Sequence, residues 1–121
     1  MVKSILVVDD DENIQKMFKD ILEVYKYRVI QANSGKEALK KYMEAKPDIV
    51  IMDILMPDVD GMRTTKKILK KDKNAKIIVV TAVGKSGLEK DCIKAGAKAF
   101  LMKPFKIDDL LNAIQKVSGG A

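Results

Sequence analysis

Short runs of apolar residues alternate along the chain with longer segments in which apolar residues recur every three or four positions. A short continuous apolar run is typical of a strand buried on both faces of a sheet, whereas the three- and four-residue spacing predicts an amphipathic helix. Five such units with short loops predict an α/β fold, a parallel sheet covered by helices on both faces. The predicted strands span residues 4–8, 28–32, 48–53, 76–81 and 99–102.

Length and composition indicate one ordinary globular domain, which we expect to span residues 1–121. The chain is 47% hydrophobic and 33% charged, and its 121 residues suffice to bury a sizeable core. No apolar run approaches the ~20 residues that a membrane-spanning helix requires. The one cysteine, Cys92, lies on a predicted apolar helix stripe, so we expect it to pack in the core. These features predict a cytoplasmic protein with no membrane partner.

The charged residues narrow the function further. Histidine is absent, which excludes Ser-His-Asp triads, histidine-ligated zinc and a histidine phospho-acceptor within this chain. The formal net charge is +6, a value that invites a nucleic-acid interpretation. The lysines, however, are spread through most of the predicted helices, arginine is scarce, and few aromatic residues are present for base stacking. We therefore expect solvated helix faces and no direct contact with nucleic acid.

Carboxylates follow two of the predicted strands. Asp9, Asp10 and Asp11 come directly after the first strand, and Asp53 ends the third. Ligands of open parallel sheets bind at the carboxyl ends of the strands, so these carboxylates are candidates for one site. Carboxylates held together repel one another unless a cation joins them, and oxygen-only ligands near phosphate favour Mg²⁺. We expect Asp11 to cap the first helix rather than to bind the metal.

Two further polar residues end the fourth and fifth strands, namely Thr81 and Lys103. A lysine ammonium is a point charge suited to one phosphoryl oxygen, and a threonine hydroxyl can donate to another. An aspartate beside such groups can itself be a nucleophile that forms an acyl phosphate. This chemistry depends on position and charge rather than on acid–base catalysis, which fits a chain without histidine.

Four motifs in a fixed order carry a family resemblance. They are Ile-Leu-Val-Val-Asp-Asp at residues 5–10, Met-Asp-Ile-Leu-Met-Pro-Asp-Val-Asp-Gly at 52–61, Val-Thr-Ala at 80–82 and Lys-Pro-Phe at 103–105. On these motifs the chain resembles the receiver domains of two-component response regulators over essentially its whole length. The resemblance implies a flavodoxin-like or CheY-like three-layer α/β/α fold, with a five-stranded parallel sheet in the order 2-1-3-4-5.

The resemblance also implies roles for the residues at the strand ends. Asp53 is the implied phospho-acceptor, and Asp9, Asp10, Asp53 and the backbone carbonyl of Leu55 are the implied Mg²⁺ ligands. Leu55 has a second implied role, because side chains two positions after the acceptor influence attack by water in this family. An apolar side chain cannot orient a hydrolytic water, which favours a slowly hydrolysing phospho-form.

The remaining implied roles belong to the fourth and fifth strands. Thr81 and Lys103 bind the phosphoryl group in the family, and the peptide bond between Lys103 and Pro104 is cis. Thr81 and Phe100 form the implied switch, in which phenylalanine keeps the packing of the family's usual aromatic residue but lacks a tyrosine hydroxyl. Val83, two positions after Thr81, is apolar like Leu55 and also favours slow hydrolysis.

The implied function is transfer of a phosphoryl group from a histidine kinase to Asp53, which switches a partner surface on the fourth helix, fifth strand and fifth helix. The resemblance implies a signalling role and not an enzyme, apart from Mg²⁺-dependent self-phosphorylation and slow autodephosphorylation. One alternative is a phosphorelay that passes the group on to a histidine phosphotransfer protein. Two others remain: a small aspartyl-phosphate phosphatase, whose nucleophile would be Asp9, and a binding module that is never phosphorylated.

Overall fold

The computed structural model describes residues 4–54, 61–82 and 87–119, in which five strands alternate with five helices. Strands β1, β2 and β5 have the predicted bounds, whereas β3 and β4 begin one residue later than predicted. The strands are β1 (Ser4–Val8), β2 (Arg28–Ala32), β3 (Ile49–Asp53), β4 (Ile77–Thr81) and β5 (Ala99–Met102). The helices are α1 (Glu12–Val24), α2 (Gly35–Ala45), α3 (Gly61–Lys71), α4 (Leu88–Ala95) and α5 (Ile107–Gly119).

The sheet has the order β2-β1-β3-β4-β5 and each neighbouring pair is parallel, which confirms the predicted fold class and topology. Every residue of β3 and β4 is buried, as are four of the five residues of β1. The edge strands β2 and β5 are only partly buried. This difference explains why the three central strands are continuous apolar runs in the sequence.

The helices form one layer on each face of the sheet. Successive side chains of a strand point to opposite faces, so β1 sends Leu6 to one layer and Ile5 to the other. The first layer joins α2, α3 and α4, and includes Cys92, which is fully buried as predicted. The second layer joins α1 and α5. None of the helices in the described ranges combines the length and apolar character needed to cross a bilayer.

The register brings the carboxyl ends of four strands to one edge of the sheet. Val8 at the end of β1 pairs with Met52, so Asp9 follows beside Asp53. Asp53 in turn pairs with Val80, one residue before Thr81. Thr81 pairs with Met102, the residue that precedes Lys103. Four sequence-distant polar residues therefore meet because their strands end at the same level.

A hydrogen bond ties α2 to the turn that follows α3. The hydroxyl of Tyr42, whose ring is buried in the core, donates to Asp72 Oδ2 at 2.7 Å. The backbone N–H of Asn74 donates to the other oxygen of the same carboxylate at 3.0 Å. These bonds lower the pKa of Asp72, with the Tyr42 hydroxyl as the largest cause. The turn after α3 is therefore held by a charged acceptor.

Replacing Tyr42 with phenylalanine should destabilise the protein at neutral pH, and the loss should shrink in acid. A carboxyl group with a lowered folded-state pKa stabilises the fold above its unfolded pKa, and that stabilisation is lost as the pH falls through the folded value. The unfolding free energies of wild type and Tyr42→Phe should therefore converge below the ordinary carboxyl pKa of 3.8. Urea titrations at neutral and acid pH measure the difference, with the exposed Tyr25→Phe as control. An equal difference at both pH values would contradict this assignment.

Candidate functional site

Three carboxylates meet at the carboxyl edge of the sheet. Asp9, Asp10 and Asp53 each offer an oxygen within 4.8 Å of the others. Asp9 and Asp53 are buried, with 2% and 9% of their surface exposed, whereas Asp10 faces solvent. The cluster is therefore accessible to solvent at Asp10 and buried at Asp9 and Asp53. The family resemblance implied that these three residues are Mg²⁺ ligands.

Lys103 reaches this cluster from the end of β5. Its Nζ lies 3.3 Å from Asp9 Oδ2 and 3.5 Å from Asp53 Oδ2, and its side chain is only 19% exposed. Its backbone N–H donates to the carbonyl of Thr81 at 2.8 Å, which fixes the chain where it leaves the sheet. The next peptide bond, between Lys103 and Pro104, is cis. The lysine thus forms ion pairs with two of the three carboxylates.

Burial raises the pKa of Asp9, and the nearby Asp53 charge acts in the same direction. The backbone N–H of Asp11, which donates to Asp9 Oδ1 at 2.9 Å, and the Lys103 ammonium oppose this shift but do not cancel it. Burial therefore outweighs the Lys103 charge in setting the pKa of Asp9. Three carboxylates in reach of one another are the hard oxygen ligands that Mg²⁺ takes in proteins. The residues fit a divalent cation, with Asp9, Asp10 and Asp53 as its side-chain ligands.

Asp11 has a different task, as predicted. Its side chain accepts the N–H of Asn13 at 2.8 Å and that of Ile14 at 3.4 Å, and it is the N-cap of α1. A carboxylate in this position satisfies backbone donors that the first helical turn leaves without partners. The acidic run after β1 therefore divides into two cluster members and one cap.

Of the other predicted residues of the site, Thr81 and Phe100 are described and two lie outside the described ranges. Thr81 ends β4 and is fully buried. Phe100 is half-buried on β5 and packs against the core layer that joins α2, α3 and α4. Leu55 and Val83, to which we assigned tuning of hydrolysis and one metal-ligand carbonyl, fall outside the described ranges.

Gln15 is a residue of the site that the sequence did not single out. Its Nε2 lies 3.1 Å from the carbonyl of Val7, 2.9 Å from that of Asp9 and 2.7 Å from that of Ala32. An amide nitrogen has two hydrogens, so these three acceptors share two donors. The side chain is 4% exposed and joins α1 to the ends of β1 and β2, directly behind Asp9. The sequence does contain one sign of its burial, because Gln15 lies at helical spacing from the apolar residues Phe18 and Leu22.

Replacing Gln15 with leucine should lower the free energy of unfolding by about 1–3 kcal/mol, because buried carbonyls lose a donor, although that of Ala32 keeps the N–H of Asp9. Asn112→Leu makes the same kind of replacement at an exposed position of α5 and should change stability little. Guanidinium titrations of both variants measure the difference. Equal small losses in the two variants would mean that the three carbonyls do not depend on Gln15.

The comparisons with known proteins agree with this geometry. Residues 5–115 match the family model described as the response regulator receiver domain. The chain therefore belongs to the response regulator receiver family, the signalling domains of two-component systems. Its fold is that of a CheY-like receiver, and its acidic cluster is compatible with binding of Mg²⁺.

Individual relatives cover nearly the whole chain. The chemotaxis protein CheY of Thermotoga maritima is 47% identical over 98% of this chain and 99% of its own length. The polar-differentiation response regulator DivK of Brucella ovis is 36% identical over 100% of both chains. A Borrelia burgdorferi structure, solved as a CheX-CheY-BeF3-Mg complex, matches with a TM-score of 0.91 and 36% identity, over 95% of this chain and 88% of that one.

Proposed function

We propose that Asp53 accepts a phosphoryl group from a phosphohistidine of a histidine kinase, or of a histidine phosphotransfer protein. The observation that carries this proposal is the position of Asp53 at the end of β3, beside two further carboxylates and 3.5 Å from Lys103. A lone buried carboxylate would be costly, and this one has both a cation and a cluster around it. The likeness to a CheY solved with BeF3 and Mg supports the proposal.

The reaction needs little acid–base chemistry. An oxygen of Asp53 bonds to phosphorus while the phosphorus–nitrogen bond of the donor breaks, and the electron pair stays on the histidine nitrogen. Lys103 binds a phosphoryl oxygen through its ammonium, and the Thr81 hydroxyl donates to another. A Mg²⁺ held by Asp9, Asp10 and Asp53 supplies charge neutralisation for the incoming group. The protein supplies position and electrostatic stabilisation.

Asp53 is a better acceptor than Asp9, which the phosphatase alternative requires. Asp9 is the more buried of the two, with only 3% of its side chain exposed. Asp53 has a side chain that is 12% exposed, which leaves it more open to a phosphoryl donor. This difference favours Asp53 as nucleophile and Asp9 as metal ligand.

We assign the output to the face formed by α4, β5 and α5. That face carries three large apolar side chains that are nearly half exposed, namely Ile93, Met102 and Ile107. Each of the three elements thus exposes one large apolar side chain, which is the kind of group that protein-binding surfaces present. Thr81 and Phe100, at the inner side of the same face, are the proposed switch by which phosphorylation changes it. A protein target downstream, and not nucleic acid, is the partner that this chemistry fits.

Relay of the phosphoryl group to a histidine phosphotransfer protein uses the same acceptor and differs only in what receives the group next. Slow hydrolysis of the phospho-form, inferred from the apolar Leu55 and Val83, suits either use. A cytoplasmic location and a single domain over residues 1–121 are likewise part of the proposal.

Metal removal tests the proposal directly. With acetyl phosphate and Mg²⁺, the intact protein should gain one phosphoryl group by mass spectrometry, and with EDTA in place of Mg²⁺ it should gain none. The physical reason is that the carboxylates repel an incoming anion unless a cation neutralises them. Equal gains with and without the metal would contradict a role for the acidic cluster.

A further inference from the structure

We propose that the outer side of α3, together with the turn after it, is a docking surface for an acidic segment of another protein. We call this surface the α3 stripe. It lies on α3, the helix that follows β3 in the chain and packs beside α4, and binding there does not depend on phosphorylation. Its members are exposed cations: Arg63, Lys66, Lys67, Lys70, Lys71 and Lys73.

The segment that contains the stripe carries the net positive charge of the protein. Residues 61–76 contain seven cations and one carboxylate, a net charge of +6, which equals the formal net charge of the entire chain. The remaining residues therefore balance to zero. The lysines are spread through most of the helices, as the sequence indicates, but the excess of positive over negative charge lies in α3 and its following turn.

Among the described residues the stripe has little local compensation, although Asp91 of α4 lines one groove with Lys66. The single carboxylate of the segment, Asp72, already accepts the Tyr42 hydroxyl and the N–H of Asn74. Helices α1 and α2 each have one lysine paired with an acid one turn away, namely Lys16–Asp20 and Lys41–Glu37. In the described part of the chain, no carboxylate oxygen lies within 4.0 Å of a stripe cation. An array of unpaired like charges one turn apart destabilises a helix.

Favourable interaction with the helix dipole accounts for only part of this pattern. Cations are stabilising at a helix C-terminus, which explains Lys70 and Lys71 in the last turn. Arg63 lies in the first turn, where the dipole disfavours a cation, and Lys66 lies in the middle. A partner that supplies negative charge explains all of them together. From Arg63 to Lys71 the stripe extends about 12 Å, which suits a segment with acidic residues at three- and four-residue spacing.

The side chains favour an acidic protein over nucleic acid or a membrane. Five of the six stripe residues are lysines and one is arginine, so bidentate recognition of phosphate has a single candidate. The described α3 has no exposed large apolar or aromatic side chain that could stack on bases or enter a bilayer. The exposed residues of that kind lie on other elements: Val24, Tyr25, Met43, Ile93, Met102 and Ile107.

Fluorescence anisotropy with a labelled helical peptide of glutamate and alanine tests the proposal. The peptide should bind at low ionic strength, and binding should weaken as salt is added. Lys66→Gln/Lys70→Gln should weaken it at least about fivefold. The matched control is Lys19→Gln/Lys116→Gln, which removes the same charge from exposed positions of α1 and α5 on the opposite face. The control should weaken binding less than about twofold.

Three results would overturn the proposal. Absence of binding by the wild type, or an equal loss in both double variants, would mean that the stripe is not a specific surface. Equal binding of a glutamine–alanine peptide would exclude charge recognition. Tighter binding of duplex DNA, or of vesicles containing anionic lipid, would assign the stripe to a different class of partner. Circular dichroism of each variant establishes that the fold is retained.

Discussion

Asp53→Asn should abolish phosphorylation by acetyl phosphate while the protein remains folded. The amide is nearly the same size as the carboxylate but is not a nucleophile of useful strength, so the acyl phosphate cannot form. Removing one charge from a repelling cluster should leave the free energy of unfolding unchanged or slightly raised. Intact-mass spectrometry detects the loss, and thermal unfolding tests the stability. Glu23→Gln, which removes one exposed carboxylate from α1, should be phosphorylated like the wild type.

Asp9→Asn separates the two possible nucleophiles. If Asp53 is the acceptor, this variant should still gain a phosphoryl group, but should require about 10- to 100-fold more Mg²⁺, as is typical when a supporting metal ligand is lost. If Asp9 were the nucleophile, the gain would vanish in Asp9→Asn and persist in Asp53→Asn. That second pattern would replace the receiver mechanism with the phosphatase alternative.

Gly61→Ala should destabilise the protein by about 1–3 kcal/mol, although alanine is ordinarily the better residue in a helix. A Cβ on Gly61 would lie 2.4 Å from the carbonyl oxygen of Asp53 and 2.4 Å from the Cα of Ile54. Both are backbone atoms, so the first turn of α3 or the end of β3 must move. Because the displaced atoms belong to Asp53, the proposed acceptor, and to its neighbour, phosphorylation should also slow. Urea titration and the rate of mass gain measure the two effects.

Gly87→Ala distinguishes crowding from backbone strain. Gly87 has a φ of +83°, and a Cβ at this position would meet no atom within 4 Å, so alanine there is strained without being crowded. The free energy of unfolding of Gly87→Ala should be about 1 kcal/mol lower than that of the wild type, as expected when alanine occupies a left-handed position. Phosphorylation of Gly87→Ala should stay at the wild-type rate. If phosphorylation slowed equally in Gly61→Ala and Gly87→Ala, general destabilisation, and not displacement of Asp53, would explain the slower reaction.

Much of the fold could be predicted from the sequence because the strands and helices follow from the spacing of the apolar residues. The apolar runs of β1, β3 and β4 mark strands buried on both faces, and their alternation with amphipathic helices leaves few other architectures. The strand order came from the family resemblance and not from the runs. The starts of β3 and β4 were predicted one residue early, at Asp48 and Lys76, where backbone pairing rather than side-chain pattern decides the boundary.

The site was predictable as far as it is made of side chains at strand ends. Asp9, Asp10, Asp53 and Lys103 carry their chemistry in their residue type, and the parallel sheet brings strand ends together. Gln15 was missed because an amide on an apolar stripe has no distinctive spacing, and its function depends on three backbone carbonyls.

The charge on α3 has a consequence for how the molecule approaches its partners. In a parallel sheet each helix runs back from the carboxyl edge, so Lys70, Lys71 and Lys73 lie towards the edge opposite Asp9 and Asp53. These lysines and the acidic cluster are therefore separated along the direction of the strands and contribute a dipole in that direction. In dilute salt this dipole orients the molecule in the field of a charged partner before contact. At about 0.15 M salt, charges are screened over about 8 Å, so this orienting effect acts only when the two molecules are almost in contact.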